Sequence, residues 1–323
     1  MPADADRYAR TSARAGHGVD RLFHILTAAA ACLVLLLLAG VAASMAWGSR
    51  LAFETFGFRF LTGSDWDVPA SKFGALVPVY GTLMTSAIAL IIAVPVSIGI
   101  ALFLTDIAPR WTRGPIGIAI ELLAAIPSII YGMWGLFVFA PFMALHVQPW
   151  LIAHVGNLAI IGPLFSGPPI GIGMLTAGIV LGIMLIPFIA AVAREVFSAV
   201  PPALKESAVA LGSTRWEILS RVTLPYTRSA IIGAIFLGLG RALGETMAVT
   251  FVLGNAHELS AALLMPSNSI AAAIANEFTE AVTDLYRSAL VALGFLLFVV
   301  TFIVLTIAKL LLMRINKQLG RTH

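Results

Sequence analysis

Charged side chains are scarce in this sequence. Asp, Glu, Lys and Arg make up 11% of its 323 residues, whereas soluble proteins contain about 25% charged residues. Hydrophobic residues make up 59%, and the mean hydropathy is +0.97. This composition excludes a water-soluble globular domain and predicts an integral membrane protein. The net charge of +4 is modest and does not indicate nucleic-acid binding.

Groups that support redox, metal or nucleotide chemistry are also missing. The only cysteine, Cys32, lies in an apolar run, so no internal disulfide is possible. The six histidines lack metal-binding spacing, which weighs against the alternative of a membrane enzyme. No Gly-Lys dipeptide occurs, so the sequence lacks the loop that cradles nucleotide phosphates in P-loop ATPases. We therefore expect no cofactor and no ATPase site.

Six apolar runs are long enough to cross a bilayer as helices. The predicted spans cover residues 22–47, 77–104, 116–144, 172–193, 229–253 and 285–312. The first run is longer than the apolar core of a signal peptide, which is about 7–15 residues, so we predict an uncleaved helix. The sequence therefore predicts an all-α polytopic membrane protein.

The segments outside these runs predict the topology. Residues 1–21 are basic and are expected to form a disordered cytoplasmic tail, and 313–323 a second cytoplasmic tail. Residues 48–76 are predicted to be periplasmic, and 145–171, rich in Gly and Pro, to form a non-helical outer loop. Lys and Arg are concentrated in alternate segments, which places both termini in the cytoplasm by the positive-inside rule.

The third and fourth apolar runs contain local signals. Pro127 is expected to break or bend its helix, and Gly178 and Gly182 have the spacing of a close helix-packing face. Glu121 lies near the cytoplasmic start of the third run. An interfacial carboxylate is the favoured interpretation of Glu121, and a gating role is the alternative.

A polar cytoplasmic stretch, residues 194–228, separates the fourth and fifth runs. Pro202 can begin a short helix that runs to Leu211 and stops at Gly212. Thr214 and Glu217 have the spacing of a capping box, and the second helix is expected to end before a later proline. These two helices, residues 202–222, form what we call the knob. It either docks into a groove of a partner or rests on the bilayer surface.

Arg241 and Glu245 lie four residues apart in the fifth run, so on one helix they share a face. A single Arg at the centre of a membrane helix costs roughly 3 kcal/mol on insertion scales, and an opposite charge one turn away offsets part of that cost. The pair indicates either a solute pathway or a structural ion pair between helices. Gly240 and Gly244 have the spacing of a second close-packing face.

The knob carries a specific family resemblance. Its sequence runs Glu206-Ser-Ala, then Gly212 after three residues, then Val222-Thr-Leu-Pro225 after nine more. This pattern resembles the coupling motif of type I ABC importer permeases, with Ser207 and Val222 replacing the usual Ala and Ile. The resemblance implies that fold, with a core over residues 77–312. It also implies docking onto an ATP-hydrolysing subunit through Glu206, Ala208, Gly212, Leu224 and Pro225.

Further stretches resemble the phosphate branch of the oxyanion permeases in this superfamily. They are Phe60-Leu-Thr-Gly63, Trp66, Gly81-Thr-Leu-Met-Thr-Ser86, Glu121 to Gly132, and Gly240-Arg-Ala-Leu-Gly-Glu-Thr-Met-Ala-Val249. The resemblance implies a phosphate pathway lined by Arg241, Glu245, Thr246 and Tyr131. It also implies four kinds of partner in a bacterial inner membrane system: a sister permease, two ATP-binding subunits, a periplasmic phosphate-binding protein and phosphate itself.

Two alternatives to phosphate import remain at this point. One is a sulfate, molybdate or tungstate permease of the same superfamily. The other is an ion-coupled secondary transporter that uses Arg241 and Glu245 in proton relay, against which the coupling motif and the lack of an inverted repeat both weigh.

Overall fold

The computed structural model describes residues 3–159 and 161–319, with side chains described over 20–159 and 161–314. The chain divides into two compact units between Gly48 and Ser49. The first unit contains one helix, α1 (Ala3–Gly48). The expectation of a disordered tail at 1–21 is therefore wrong from residue 3 onward. The tail is rich in Ala and Arg, which are good helix formers, and it extends a membrane helix that already supplies the nucleus.

The second unit contains short elements as well as long helices. In chain order they are α2 (Arg50–Phe56), α3 (Arg59–Thr62), the antiparallel strands β1 (Trp66–Asp67) and β2 (Lys72–Phe73), α4 (Leu76–Leu102), α5 (Arg110–Ala124), α6 (Ser128–Trp134), α7 (Ala140–Phe142), α8 (Gln148–His154), α9 (Met174–Ser198), α10 (Pro202–Ala210), α11 (Arg215–Ile218), α12 (Leu224–Leu243), α13 (Met247–Leu253), α14 (Ile270–Glu277) and α15 (Asp284–Leu319). π-Helical turns join several of them, at Phe103–Ile107, Gly135–Phe139, Met143–Val147 and Leu219–Thr223.

Within the part of the chain that the structure describes, six helical stretches are long and apolar enough to cross a membrane, as predicted. They are Asp20–Gly48, Leu76–Ile107, Ser128–His154, Met174–Ser198, Arg215–Leu243 and Asp284–Arg314. The all-α polytopic fold is confirmed.

The third span lies further along the chain than predicted. Pro127 precedes the first residue of α6, so the expected break is confirmed. The stretch before it forms a separate helix, α5, and the spanning helix runs to His154 instead of ending at residue 144. The prediction of a non-helical loop from 145 is therefore wrong for its first part. Pro149 follows the π-helical turn Met143–Val147, which widens the backbone and lets the helix continue past the proline.

The fifth span begins earlier than predicted. The second knob helix does not stop before Pro225 but continues through the π-helical turn Leu219–Thr223 directly into α12. A proline removes one N–H and crowds the carbonyl four residues before it. A π-helical turn widens the backbone just ahead of Pro225, so the helix can continue past it.

Helices α4 and α9 form the centre of the second unit. A Cβ atom added to Gly178 would lie 2.6 Å from Cβ of Ile88, and one added to Gly182 would lie 3.1 Å from the carbonyl oxygen of Ala89. The close-packing face predicted for these glycines is therefore confirmed. Buried residues of α4, α9 and α13 form one apolar core around this contact.

Residues 49–75 and 254–283 meet at one end of the bundle, which we call the hairpin end. There the Glu277 carboxylate accepts hydrogen bonds from Trp66 Nε1 and Tyr286 Oη, each 2.7 Å long, and lies 2.9 Å from His257 Nε2. The Trp66 ring stacks on His257, and Phe73 stacks on Tyr286. One carboxylate therefore ties the strand pair to α14 and α15.

Replacing Glu277 by Gln is expected to lower the thermal unfolding midpoint, because an amide oxygen accepts hydrogen bonds less strongly than a carboxylate. The loss should be about 1–3 kcal/mol, or a few degrees. Unfolding of the detergent-purified protein, followed by tryptophan fluorescence, measures it. Glu280→Gln, which changes an exposed carboxylate of the same end, is the matched control and should leave the midpoint unchanged.

The same variant gives a pH test. Burial acts to raise the pKa of Glu277, but hydrogen bonds from His257, Tyr286 and Trp66 and the charge of His257 outweigh it, so the pKa lies below its ordinary value of 4.5. The carboxylate therefore stabilises the fold above pH 4.5, and this contribution is lost as the pH falls through the folded-state pKa. The difference between wild type and Glu277→Gln should shrink on acidification. A constant difference would contradict this assignment.

Candidate functional site

The apolar run that contains the Arg241 motif is broken into two helices. α12 ends at Leu243 and α13 begins at Met247. The expectation that Arg241 and Glu245 share one helical face is therefore wrong. Gly240 and Gly244 weaken the helix at this point, and Oε1 of Glu245 accepts a hydrogen bond of 3.2 Å from the backbone N–H of Ala248. That side-chain bond supports the start of α13 at the expense of a continuous helix.

Arg241 and Glu245 each lie at a helix end whose dipole has the opposite sign to the side-chain charge. Arg241 is in the last turn of α12, where the helix dipole is negative, and Glu245 precedes the first turn of α13, where it is positive. Within the described chain the two side chains do not form an ion pair. The break therefore stabilises both charges without neutralising one by the other.

The Arg241 guanidinium contacts an aromatic ring, but one of its N–H groups has no hydrogen-bond partner among the residues that the structure describes. Its central carbon lies 5.3 Å from the centre of the Phe188 ring on α9, a cation–π arrangement. Its Nε is buried and has no hydrogen-bond partner within the described chain. A buried donor without an acceptor is costly, so this N–H requires an acceptor from outside the described chain.

Tyr131 and Thr246 lie beside the same break. A Cβ atom added to Gly132 of α6 would lie 3.0 Å from the carbonyl oxygen of Met247, so α6 directly contacts the start of α13. The neighbouring Tyr131 hydroxyl donates a 3.0 Å hydrogen bond to the Leu123 carbonyl. Thr246 occupies the N-cap position of α13, but its side chain makes no capping hydrogen bond in the part of the chain that the structure describes. The structure thus groups all four predicted pathway residues around one helix break.

The second predicted glycine face is not packed within this chain. A Cβ atom added to Gly240 would meet only Leu305, at 3.8 Å, and one added to Gly244 would meet only the Gly240 carbonyl of its own helix end. The expectation of tight packing at this face is not met in the described residues. The face is left open beside Arg241.

The glycine turn and the capping box predicted for the knob are confirmed. α10 ends next to Gly212, which has a left-handed φ of +83°, and Ser213 N–H bonds back to the Ala208 carbonyl. The capping box is present, with Glu217 N–H donating to Thr214 Oγ1 and Thr214 N–H donating to Glu217 Oε2. The glycine turn and the box therefore fix the angle between α10 and α11.

The knob has an outer and an inner face. Glu206 is exposed, and so are large apolar side chains, namely Leu204, Val209, Leu211 and Trp216. Ala208 is buried and does not belong to this exposed surface. Leu224 is half-buried and Pro225 exposed where the knob joins α12. An exposed apolar cluster on a polar segment is typical of a docking surface.

Two contributors were missed by sequence reasoning. Phe188 lies under Arg241, and Asp106 forms an ion pair with Lys205 of the knob. Each partner is far away in sequence, and a lone Phe or Asp carries no spacing signal. Only the packing of α4 and α9 brings them to these places.

A family model described as "Binding-protein-dependent transport system inner membrane component" matches residues 93–317. The matched region contains the knob, the helix break and Arg241.

Two curated relatives are similar over almost their whole length. The "Phosphate transport system permease protein PstC" of Xylella fastidiosa (strain Temecula1 / ATCC 700964) is 59% identical over 301 residues, 93% of each chain. The protein of the same name from Pasteurella multocida (strain Pm70) is 58% identical over 305 residues, 94% of this chain and 95% of that one.

A solved structure of a bacterial alginate ABC transporter, in complex with an alginate-bound periplasmic protein, supports the fold. One of its chains superposes with a TM-score of 0.56 at 19% identity, covering 87% of this chain and 95% of that one. At this identity the likeness concerns the fold alone. The predicted type I ABC importer permease fold is confirmed.

The contact between α6 and α13 can be tested through Gly132. A Cβ atom there would also lie 2.8 Å from Cδ2 of Phe251, so Gly132→Val should cost about 1–3 kcal/mol by overpacking. Gly233→Val is the control, because nothing lies within 4 Å of a Cβ atom at Gly233. Thermal unfolding of the purified protein compares them. Equal stability of the two variants would contradict the close contact at Gly132.

Proposed function

Because this chain belongs to the family of binding-protein-dependent transport system inner membrane components, in the group of permeases named PstC, we propose that it forms half of the path for inorganic phosphate in an ATP-driven importer. The observation that carries the proposal is the Arg241 guanidinium at a helix break, with a buried Nε that has no partner in the described chain. The names of the curated relatives support phosphate over sulfate or molybdate as the substrate.

The break provides what an anion needs inside a membrane. Phosphate carries at least one negative charge at neutral pH and cannot enter hydrocarbon bare. The planar donors of Arg241 suit bidentate recognition of phosphate oxygens. Hydroxyl groups of Thr246 and Tyr131 add neutral hydrogen bonds. The open face at Gly240 and Gly244 leaves room for the path between this chain and a second permease subunit.

Glu245 has a different role from a counter-ion to Arg241. Its carboxylate is engaged with the N–H of Ala248, so Arg241 remains available to a ligand. The negative charge of Glu245 beside the path repels phosphate and keeps binding weak. A weak site allows passage, whereas a strong site would hold the anion.

We place the knob on the cytoplasmic side, together with both termini, and the hairpin end on the periplasmic side. The distribution of Lys and Arg along the sequence supports this orientation. The knob then faces the ATP-binding subunits, called PstB in this family, and the hairpin end faces the periplasmic phosphate-binding protein, PstS. The sister permease PstA completes a heterodimer. Hydrolysis of ATP belongs to the separate subunit.

The coupling path follows one continuous helix. From Arg215 through the π-helical turn to Leu243 the chain does not leave the helical form. Since a helix rises 1.5 Å per residue, this continuous helix is roughly 40 Å long and can act as a lever. It begins at the docking surface of the knob and ends at Arg241. A movement of the knob therefore acts on the anion site directly. A secondary transporter has no use for such a docking surface.

Arg241→Gln is expected to abolish phosphate uptake while the complex still assembles, because Gln keeps a polar side chain without the charge. Arg241→Lys should retain partial uptake, since it keeps the charge but loses the bidentate donors. Uptake of labelled phosphate into cells or proteoliposomes, with co-purification of the partners, measures both effects.

Arg314→Gln, at the exposed end of the last span, is the control and should transport normally. Labelled sulfate supplied to the wild type tests the substrate. Normal phosphate uptake by Arg241→Gln would overturn the pathway role, and uptake of sulfate at the rate of phosphate would overturn the substrate assignment.

Gly212→Asp and Glu206→Lys are expected to weaken co-purification of the ATP-binding subunit. Asp at 212 is strained by the left-handed φ of +83°, which alters the angle of the docking surface. Lys at 206 reverses an exposed charge on that surface. Pull-down through a tag on this chain measures the yield of the bound subunit.

Glu195→Lys makes the same charge reversal outside the knob, on an exposed residue of α9. It should leave the yield of the ATP-binding subunit unchanged. Equal yields for Glu206→Lys and wild type would contradict the docking role of α10.

A further inference from the structure

We propose that the ion pair between Lys205 and Asp106 is a second coupling route, which transmits movement of the knob into α4. Lys205 and Asp106 are then positioning residues for ATP-driven transport. This inference rests on the proposed function, in which α10 docks onto an ATP-binding subunit. It concerns the inner face of α10, which the docking surface does not use.

The geometry of the pair is specific. Lys205 Nζ donates to Asp106 Oδ1 over 2.6 Å, joining residues 99 positions apart. The side chains are only 24% and 19% exposed, so both charges are largely removed from water. Such a pair is screened much less by salt than a surface pair, and removal of one partner leaves the other charge poorly solvated.

The position of Lys205 on α10 separates two roles of that helix. Lys205 and Ala208 are three residues apart on one face of α10 and both turn toward the rest of the chain, whereas Glu206 and Ala210 lie on the other side of the helix and are exposed. One face of α10 thus meets a partner, and the opposite face holds Asp106. When the ATP-binding subunit displaces the outer face of α10, the ion pair on the other face is displaced with it.

Asp106 lies just after the end of α4, in a stretch of helix that can deform. It belongs to the π-helical turn Phe103–Ile107, where the ladder of backbone bonds is widened. A cleft of about 380 Å³, lined by the neighbouring Leu104 and Thr105 together with Arg113 and Arg194, opens beside this turn. The end of α4 therefore has space to move.

The second carboxylate oxygen allows the contact to survive small movements. Asp106 Oδ2 is buried and has no hydrogen-bond partner within the described residues. The Lys205 ammonium has further N–H donors, so it can turn toward Oδ2 when α10 tilts. The ion pair then stays formed while α10 moves, instead of breaking when the movement begins.

Movement of α4 reaches the anion site through α9. The two helices are in close contact at Gly178 and Gly182, and α9 also carries Phe188 beneath the Arg241 guanidinium. The ion pair therefore adds a second route, in which α9 acts on Arg241 through Phe188. The first route runs directly along α12 to Arg241. Two routes from one docking surface allow α9 and α12 to move together.

The competing explanation is that the ion pair between Lys205 and Asp106 only holds α10 in place, as a static brace. Loss of a brace would loosen the knob and reduce binding of the ATP-binding subunit. Loss of a coupling route would leave that subunit bound and hydrolysing ATP, with less phosphate moved for each ATP consumed. The ratio of phosphate transported to ATP hydrolysed therefore distinguishes the two roles.

The experiment uses the complete complex in proteoliposomes and compares Asp106→Asn, Lys205→Gln and the exchanged pair Asp106→Lys with Lys205→Asp. Each single variant should lower the transport-to-hydrolysis ratio about five-fold or more while the ATP-binding subunit remains bound, and the exchange should restore it to within about two-fold, since partners in contact are strongly non-additive. Glu54→Gln, which removes an exposed ion pair with Arg50 at the hairpin end, is the control and should keep the wild-type ratio.

The inference is overturned if Asp106→Asn keeps the wild-type ratio, or if it loses the ATP-binding subunit in proportion to its loss of transport. Should the exchanged pair not assemble, Lys205→Arg decides: a retained ratio supports the coupling route, and a ratio as low as that of Lys205→Gln overturns it. Absence of the ATP-binding subunit from the wild-type complex would instead refute the proposed function.

Discussion

The ends of a helix leave backbone groups without partners inside that helix, and the rest of the structure depends on how this constraint is met between α12 and α13. At Gly244 to Thr246 the chain meets it with the motif itself: Arg241 lies at the negative end of α12, and Glu245 binds the first turn of α13. Two charges that would be costly on a continuous helix stabilise its interruption. The Nε of Arg241, next to this interruption, is buried and has no hydrogen-bond partner in the described residues.

The break needs a rigid surrounding, which α4 and α9 supply. Glycines of α9 against Ile88 and Ala89 bring the two backbones together, and small residues are what allow helices to associate closely in lipid. This contact fixes Phe188 under Arg241 and holds the first turn of α13 in the same core. A mobile site would lose the orientation of the guanidinium on which recognition of an anion depends.

Features that depend on residues close in sequence were predicted well, whereas features that depend on three-dimensional contacts could not be predicted. The apolar runs, the glycine stop at Gly212, the capping box at Thr214 and the break at Pro127 each follow from chemistry within a few residues, and the structure contains all of them. The break after Leu243 was missed because apolar length and four-residue spacing both favour a continuous helix there. Its cause is a hydrogen bond from Ala248 to Glu245, which competes with the helix and is visible only in three dimensions.

The failed expectation about Arg241 and Glu245 changes the chemistry of the site. Two opposite charges on one face would form a closed pair, and an anion would have to break it before binding. Glu245 instead accepts a hydrogen bond from the first turn of α13, so in the proposed pathway phosphate would gain the attraction of Arg241 without that cost and meet the repulsion of Glu245 at the same time. Such a balance favours brief occupancy over tight binding. In the proposed pathway, a change in the distance between α12 and α13 alters attraction and repulsion together, so movement of the helix that ends at Leu243 would change the affinity for phosphate.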